Sequence, residues 1–141
     1  MKNIHPYINC KGNTEEAFNF YKSVFGGDFL GVTKFKDIPG ENQIPENLKD
    51  KIMHISLPLC NGIILMGTDA IEEMGHKLNF GNNMHIMITT DSKEEADELF
   101  NKLSVGGKIE MPMSDQFWGD YFGNFTDKFG INWMIDFSKQ I

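Results

Sequence analysis

Apolar side chains at Ala17, Phe18, Phe20, Tyr21, Val24 and Phe25 recur at helical spacing, and Gly26-Gly27 stops the run. A second stripe, Ala96, Leu99, Phe100 and Leu103, ends in the same way at Gly106-Gly107. Each stripe has a start signal. Asn13-x-x-Glu16 predicts a cap whose side-chain oxygen satisfies an orphan helix N–H, and Ser92-x-x-Glu95 reads as a capping box. Outside the helices the period falls to two. Strands are predicted from Ile4 to Ile8, over 28–37 and 51–59, and, after the hairpin turn Cys60-Asn61-Gly62, over 63–68. In the second half they are predicted from Met84 to Ile88, over 108–111, roughly over 117–125, and over 131–137. Ile38 to Asn47 is polar and broken by prolines, which predicts a surface loop.

The chain is therefore one pattern written twice: strand, helix, strand, strand, strand. Asn61-Gly62-Ile63-Ile64-Leu65-Met66 runs parallel to Phe129-Gly130-Ile131-Asn132-Trp133-Met134 at the ends of the two halves. A repeat of this length matches two fused supersecondary units better than a solenoid. The reading is an α+β protein forming a single domain over 1–141, with modules 1–69 and 83–141 joined by a linker over 70–82.

Alternation also sorts side chains by face. Ile8, Cys10, Ile55, Leu57, Ile63 and Leu65 suit the helix side in the first module, as do Ile86, Ile88, Trp133 and Ile135 in the second. The opposite, concave face then carries His5, Tyr7, Asn9, His54, Ser56, Met66 and Thr68, and in the second copy His85, Met87, Thr89, Asn132, Met134 and Asp136. Aligning the repeats without a gap would set Pro6 rather than His5 opposite His85, so both registers stand at this point; the pattern prefers His5, because the other points Asn9 into the core. Three histidines with methionines and a few hydroxyl or amide groups suit a small, partly apolar ligand.

Composition narrows the classes. At 141 residues, 40% hydrophobic and 23% charged, the chain is long enough for a well-buried core. A net charge of −7 without a basic stripe argues against nucleic acid as a partner. No apolar run approaches the ~20 residues that span a bilayer, so no membrane partner is expected and the chain reads as cytoplasmic. Cys10 and Cys60 have no metal or redox spacing and read as reduced thiols.

Pro6-Tyr7-Ile8, Gly12-Asn13-x-x-Glu16-Ala17, Phe20-Tyr21, Phe25-Gly26-Gly27, Met53-His54, Leu65-Met66-x-x-Asp69, Phe117-Trp118-Gly119 and Asp127-Lys128-Phe129-Gly130-Ile131-x-Trp133 resemble the vicinal-oxygen-chelate superfamily. That superfamily includes glyoxalase I, extradiol dioxygenases and bleomycin- and fosfomycin-resistance proteins, and the resemblance is to its PhnB-like branch. It implies two tandem βαβββ modules forming a curved mixed sheet around a cup, in a homodimer. Members of this branch have often carried a 3-demethylubiquinone-9 3-methyltransferase label, but nothing here resembles the glycine-rich turn of a methyl-donor site.

In catalytic members the resemblance implies a divalent metal held by two His or Gln and two Glu. His5 and His85 fall at the histidine positions, and Met66 and Met134 fall where the glutamates should be. Thioethers remove both negative charges that a hard or borderline cation wants, so no metal or other cofactor is expected; if one binds, His5 and His85 are its ligands. Asp136, two residues past Met134 on the same face, offers a carboxylate only if the register slips by two.

His54 is the candidate general base, since an imidazole exchanges protons near neutral pH; the blander role, a hydrogen-bonded wall residue, is favoured because no partner carboxylate is evident. Trp118 and Phe122 are candidates to cap a ligand or to pack in the core or a dimer contact. His76 reads as surface, and Asp69 and Asp127 as structural acceptors of backbone N–H groups. The expected ligand-binding set is thus His5, Tyr7, His54, Met66, His85, Met87, Trp118, Phe122 and Met134. Two functions follow: a protein binding a small, partly apolar molecule in a metal-free cup, or a metal-dependent glyoxalase- or dioxygenase-type enzyme. The methionines favour binding.

Overall fold

The computed structural model describes residues 1–39 and 44–139, and the chain divides into two units, Met1–Asn79 and Phe80–Ile141. The first contains β1 (Tyr7–Cys10), α1 (Thr14–Phe25), β2 (Gly31–Lys34), β3 (Ile52–Pro58) and β4 (Ile64–Asp69). Its sheet order is β1-β4-β3-β2, with β1 parallel to β4 and the other pairs antiparallel. The second contains β5 (Ile86–Thr89), α2 (Lys93–Leu103), β6 (Lys108–Asp115), β7 (Asp120–Thr126) and β8 (Asn132–Ser138), in the order β5-β8-β7-β6. Two βαβββ modules, each a four-stranded mixed sheet, are what the repeated pattern predicts.

In the first unit α1 buries Thr14, Ala17, Phe18 and Tyr21, spaced three, four and seven residues from the first. Phe18 and Tyr21 meet edge to face at 5.7 Å, and burial of such a ring contributes roughly 2–3 kcal/mol. The helix lies close on β4 because position 67 is glycine; a Cβ there would come within 2.5 Å of the Phe18 ring. Ile8, Cys10, Ile55, Leu57 and Leu65 complete this core.

The start of α1 differs from expectation. Asn13 makes no side-chain cap. Instead Asp69, at the end of β4, accepts the Thr14 N–H (3.0 Å) and hydroxyl (2.7 Å) on Oδ1 and the Ile52 N–H (2.7 Å) on Oδ2. Parallel pairing of β4 with β1 delivers this carboxylate to the helix N-terminus, where the dipole also favours it.

The turn between β3 and β4 is as predicted. Asn61 and Gly62 both have positive φ, 50° and 78°, as a two-residue hairpin turn requires, and Ile63 N–H donates to Cys60 O across them at 2.8 Å. The first strand starts later than expected and β2 is shorter, because Phe35–Asp37 winds into a 3₁₀ turn that buries Phe35 against Ile44, Leu48 and Ile71. Ile44 therefore anchors one end of a segment the sequence marked as surface loop; residues 40–43 of that segment lie outside the described residues.

In the second unit Ala96, Phe100 and Leu103 face the sheet, and Phe100 meets Phe125 edge to face at 5.0 Å. Ser92 caps α2 as predicted, accepting the Glu95 N–H at 3.1 Å, while the Glu95 carboxylate reaches the Asp91 N–H rather than that of Ser92. The helix ends at Leu103, ahead of the glycine pair, which serves the turn into β6. Asp127 accepts the Phe129 and Ile131 N–H groups on Oδ1 and the Trp133 indole N–H, at 2.9 Å, on Oδ2. Asp69 and Asp127 thus take the structural roles the sequence assigned.

Replacing Asp69 by alanine strips partners from two backbone N–H groups and one buried hydroxyl. The expected loss of unfolding free energy is about 2–4 kcal/mol, read from urea denaturation, against less than about 0.5 kcal/mol for Asn13→Ala, whose side chain caps nothing.

Candidate functional site

In each unit the helix covers one face of the sheet, and the candidate residues lie on the other. Tyr7 pairs laterally with Met66, and Met66 with Ser56. In the second unit Met87 pairs with Met134, and Met134 with Asn124. Counting back two residues from Tyr7 and from Met87 reaches His5 and His85, so these two histidines are equivalent and Pro6 is not. The hydrogen-bond ladder thereby decides the register that the sequence left open.

The first unit brings three predicted residues into contact with defined partners. The Tyr7 hydroxyl lies 3.3 Å from His54 Nδ1, with the rings tilted and their centroids 5.7 Å apart. His54 sits opposite Thr33 of β2, half-buried, which makes it a wall residue with a phenol partner. His5 is committed to structure: its Nδ1 accepts the Ile64 N–H at 3.0 Å. A neutral imidazole accepting at Nδ1 carries its proton on Nε2.

In the second unit Met87 is half exposed and Met134 and His85 are half-buried. Phe122 pairs with Asp136 and lies 6.2 Å from Trp118, which in turn packs edge-on to Phe117 at 5.1 Å. Trp118 and Phe117 remain exposed, at 49% and 96%. They take no part in a buried core.

Two groups on this face were not singled out for the role they have. Asp136 is 3% exposed and Asn124 is 7%, and the Oδ1 of each has no hydrogen-bond partner. Burial, and then the hydrogen bond and charge of Asp120, push the Asp136 carboxyl up to about 6. Period-two reading of β7 puts Asp120, Phe122 and Asn124 on one face, and this signal was available in the sequence. Tyr121, on the other face, donates to Asp97 at 2.6 Å, which pushes its phenol up to about 12 and marks it as structural.

The donors can be tested against the divalent metal that the resemblance implies. Each unit supplies one imidazole and one thioether at the relevant positions, with no carboxylate. His5 holds a backbone N–H on the nitrogen that would need a proton for Nε2 to ligate. Met134 pairs squarely with Met87, so β8 does not slip to bring Asp136 into its place. Among the described residues no three His, Cys, Asp or Glu side chains converge as metal ligands. These residues do not suit a hard or borderline dication.

The comparisons with known proteins agree with the fold. A family description, the Glyoxalase/Bleomycin resistance protein/Dioxygenase superfamily, matches residues 4–135. The chain is 29% identical to Protein YjdN of Escherichia coli (strain K12), covering 97% of this chain and 96% of that one. Among solved structures, protein PA1353 from Pseudomonas aeruginosa superposes with a TM-score of 0.84 at 37% identity, covering 96% of this chain and 97% of that one. A PhnB protein from Bacillus cereus superposes with a TM-score of 0.76 at 28% identity, covering 96% and 99%.

The raised Asp136 carboxyl has a thermodynamic consequence. Its folded value lies above the ~3.9 of an unfolded aspartate, so the native state binds the proton more tightly. The favourable contribution is complete below about pH 4 and is lost as pH rises through about 6. Asp136→Asn should remove that decline and gain stability relative to the parent at neutral pH. Urea midpoints measured across this range check it; parallel profiles for the two proteins would contradict it.

Proposed function

This chain belongs to the Glyoxalase/Bleomycin resistance protein/Dioxygenase superfamily as a PhnB/YjdN-like member, and from that premise we propose that it binds a small, partly apolar molecule without the help of a metal. One observation carries this reading: Met66 and Met134 occupy the equivalent, laterally paired positions where metal-binding relatives are expected to place carboxylates. Thioethers are polarisable and apolar, and suit the wall of a binding face better than a dication.

The ligand-facing residues in this reading are His5, Tyr7, His54 and Met66 in the first unit and His85, Met87, Trp118, Phe122 and Met134 in the second. Their chemistry is apt. Half-exposed methionines and aromatics supply apolar contact at low cost in specificity, and the Tyr7–His54 pair supplies a donor and an acceptor that fix orientation. An assembly of two copies and a cytoplasmic setting complete the proposal. Cys10 is buried and Cys60 exposed, and neither forms a disulfide among the described residues, which accords with a reducing compartment. No helix among the described residues is long and apolar enough to cross a membrane.

The enzyme reading rests on His54, whose Nδ1 is within reach of a phenol that holds it in place. It needs His54 to move a proton, whereas the binding reading needs only a hydrogen bond.

A thermal-shift screen of aromatic metabolites and hydrophobic antibiotics tests the binding reading, since a ligand selective for the native state must raise Tm. A hit is expected to weaken roughly tenfold in Met66→Glu or Met134→Glu, which put a desolvated charge on the apolar wall. Metal analysis of protein purified without chelator is expected to find no stoichiometric transition metal. A full equivalent that disappears in His85→Ala would overturn the proposal.

A further inference from the structure

The first unit also contains a pocket of about 260 Å³ that uses none of the residues discussed above as ligand-facing. Three chain junctions wall it: the turn between β1 and α1, the residues leading into β3, and the segment that follows β4. Leu48, Ala70 and Ile71, all buried, make its apolar floor. Lys11, Lys51 and Lys77 stand around it.

These lysines are unlike most others in the chain that have a carboxylate nearby. Lys22, Lys34, Lys36, Lys49, Lys93 and Lys102 each reach a carboxylate within 4.0 Å. Among the described residues, none of the three at the pocket does, although Glu72 and Glu73 belong to the same rim. Lys51 is half-buried and is held by one bond, Nζ to Gly12 O at 2.8 Å, which leaves two ammonium protons for another acceptor. His76 adds a further nitrogen at the edge.

The walls are also fixed in advance. Asp69 ties the start of α1, the start of β3 and the end of β4 together through Thr14 and Ile52, and Lys11 with Gly12, Lys51, and Ala70 with Ile71 lie next to those ends in the chain. A site whose walls are locked by a buried carboxylate loses little on binding. The second unit pins itself through Asp127 at a different turn.

The geometry points to a second binding site here, for a compact monocarboxylate with a short aryl or branched apolar body. The carboxylate would face Lys51, Lys11 and Lys77, and the apolar body would rest on Leu48, Ala70 and Ile71. Inorganic phosphate would satisfy the lysines but leave the floor uncovered, and a neutral molecule would leave the ammonium groups without a counter-charge.

Titration of the ¹⁵N-labelled protein with benzoate, its neutral isostere benzamide, and inorganic phosphate tests this. Benzoate is expected to move the Gly12, Ala70 and His76 amide resonances saturably, and benzamide and phosphate to do so far more weakly. Lys51→Gln and Lys77→Gln should each weaken benzoate roughly fivefold, as for a partly exposed charge contact. Lys77 is exposed, so its variant keeps the test open if Lys51→Gln folds poorly. Absence of saturable benzoate shifts, equal shifts with benzamide, phosphate binding as tightly as benzoate, or a Lys77→Gln titration identical to the parent would each overturn the site. None of these outcomes bears on the concave faces, whose ligand is tested separately.

Discussion

The Asp69 carboxylate is the constraint on which the first unit depends. It is 3% exposed, and an aspartate so placed is tolerable only because its oxygens accept three hydrogen bonds. Those bonds join the start of α1 to the start of β3 through the end of β4, segments 17 and 55 residues away in sequence. Everything else in the unit follows from that closure: β4 lies parallel beside β1, Gly67 lets Phe18 approach the sheet, and the face away from the helix is left to Tyr7, His54 and Met66. The second unit solves the same problem locally. Asp127 gathers two N–H groups of its own turn and the Trp133 indole, which holds the largest core side chain against the sheet.

Once each sheet is closed, the lateral pairs decide what chemistry the outer face can offer. Tyr7 beside Met66 and Met87 beside Met134 are equivalent rows in the two copies, with His5 and His85 two residues before them. Such a row presents sulfur and carbon where a dication needs charged oxygen, and one of the two imidazoles is already spent on a backbone N–H. What remains is a partly apolar, half-exposed surface that offers a few oriented polar atoms. Fold and chemistry are separable in this way because the core is made of helix-side residues, and the two faces of a strand vary independently.

Much of this was legible from the sequence because it depends on local periodicity. The two helices, the Asn61-Gly62 turn, the Ser92 cap, the sorting of Leu65 and Trp133 to the core and of Met66 and Met134 away from it, and the structural roles of Asp69 and Asp127 all follow from spacing and residue type. What was not legible depends on contacts distant in sequence. Asn13 has the right identity for a cap, but a carboxylate from β4 reaches the Thr14 N–H instead. Ile44 sits in a polar, proline-rich stretch, yet the pocket beside Phe35, Leu48 and Ile71 takes it in. Asp120 and Asp136 come from strands whose pairing had to be known before their carboxyls could be set side by side.

The departures of the two repeats from each other are concentrated in charge. In the second unit an acid is buried on the outer face, with a second carboxyl bonded to it and an amide oxygen unpaired two residues along the neighbouring strand. In the first unit the corresponding face holds hydroxyls, imidazoles, an amide and a thioether, while lysines that reach no carboxylate among the described residues gather at the junction that Asp69 locks. A net charge of −7 spread over the chain acts on a ligand only within about a Debye length, ~8 Å at physiological salt, so a local group of lysines governs its own pocket despite the acidic whole. Both halves share one scaffold, and the outer faces and junctions are where a substitution alters recognition without costing the fold.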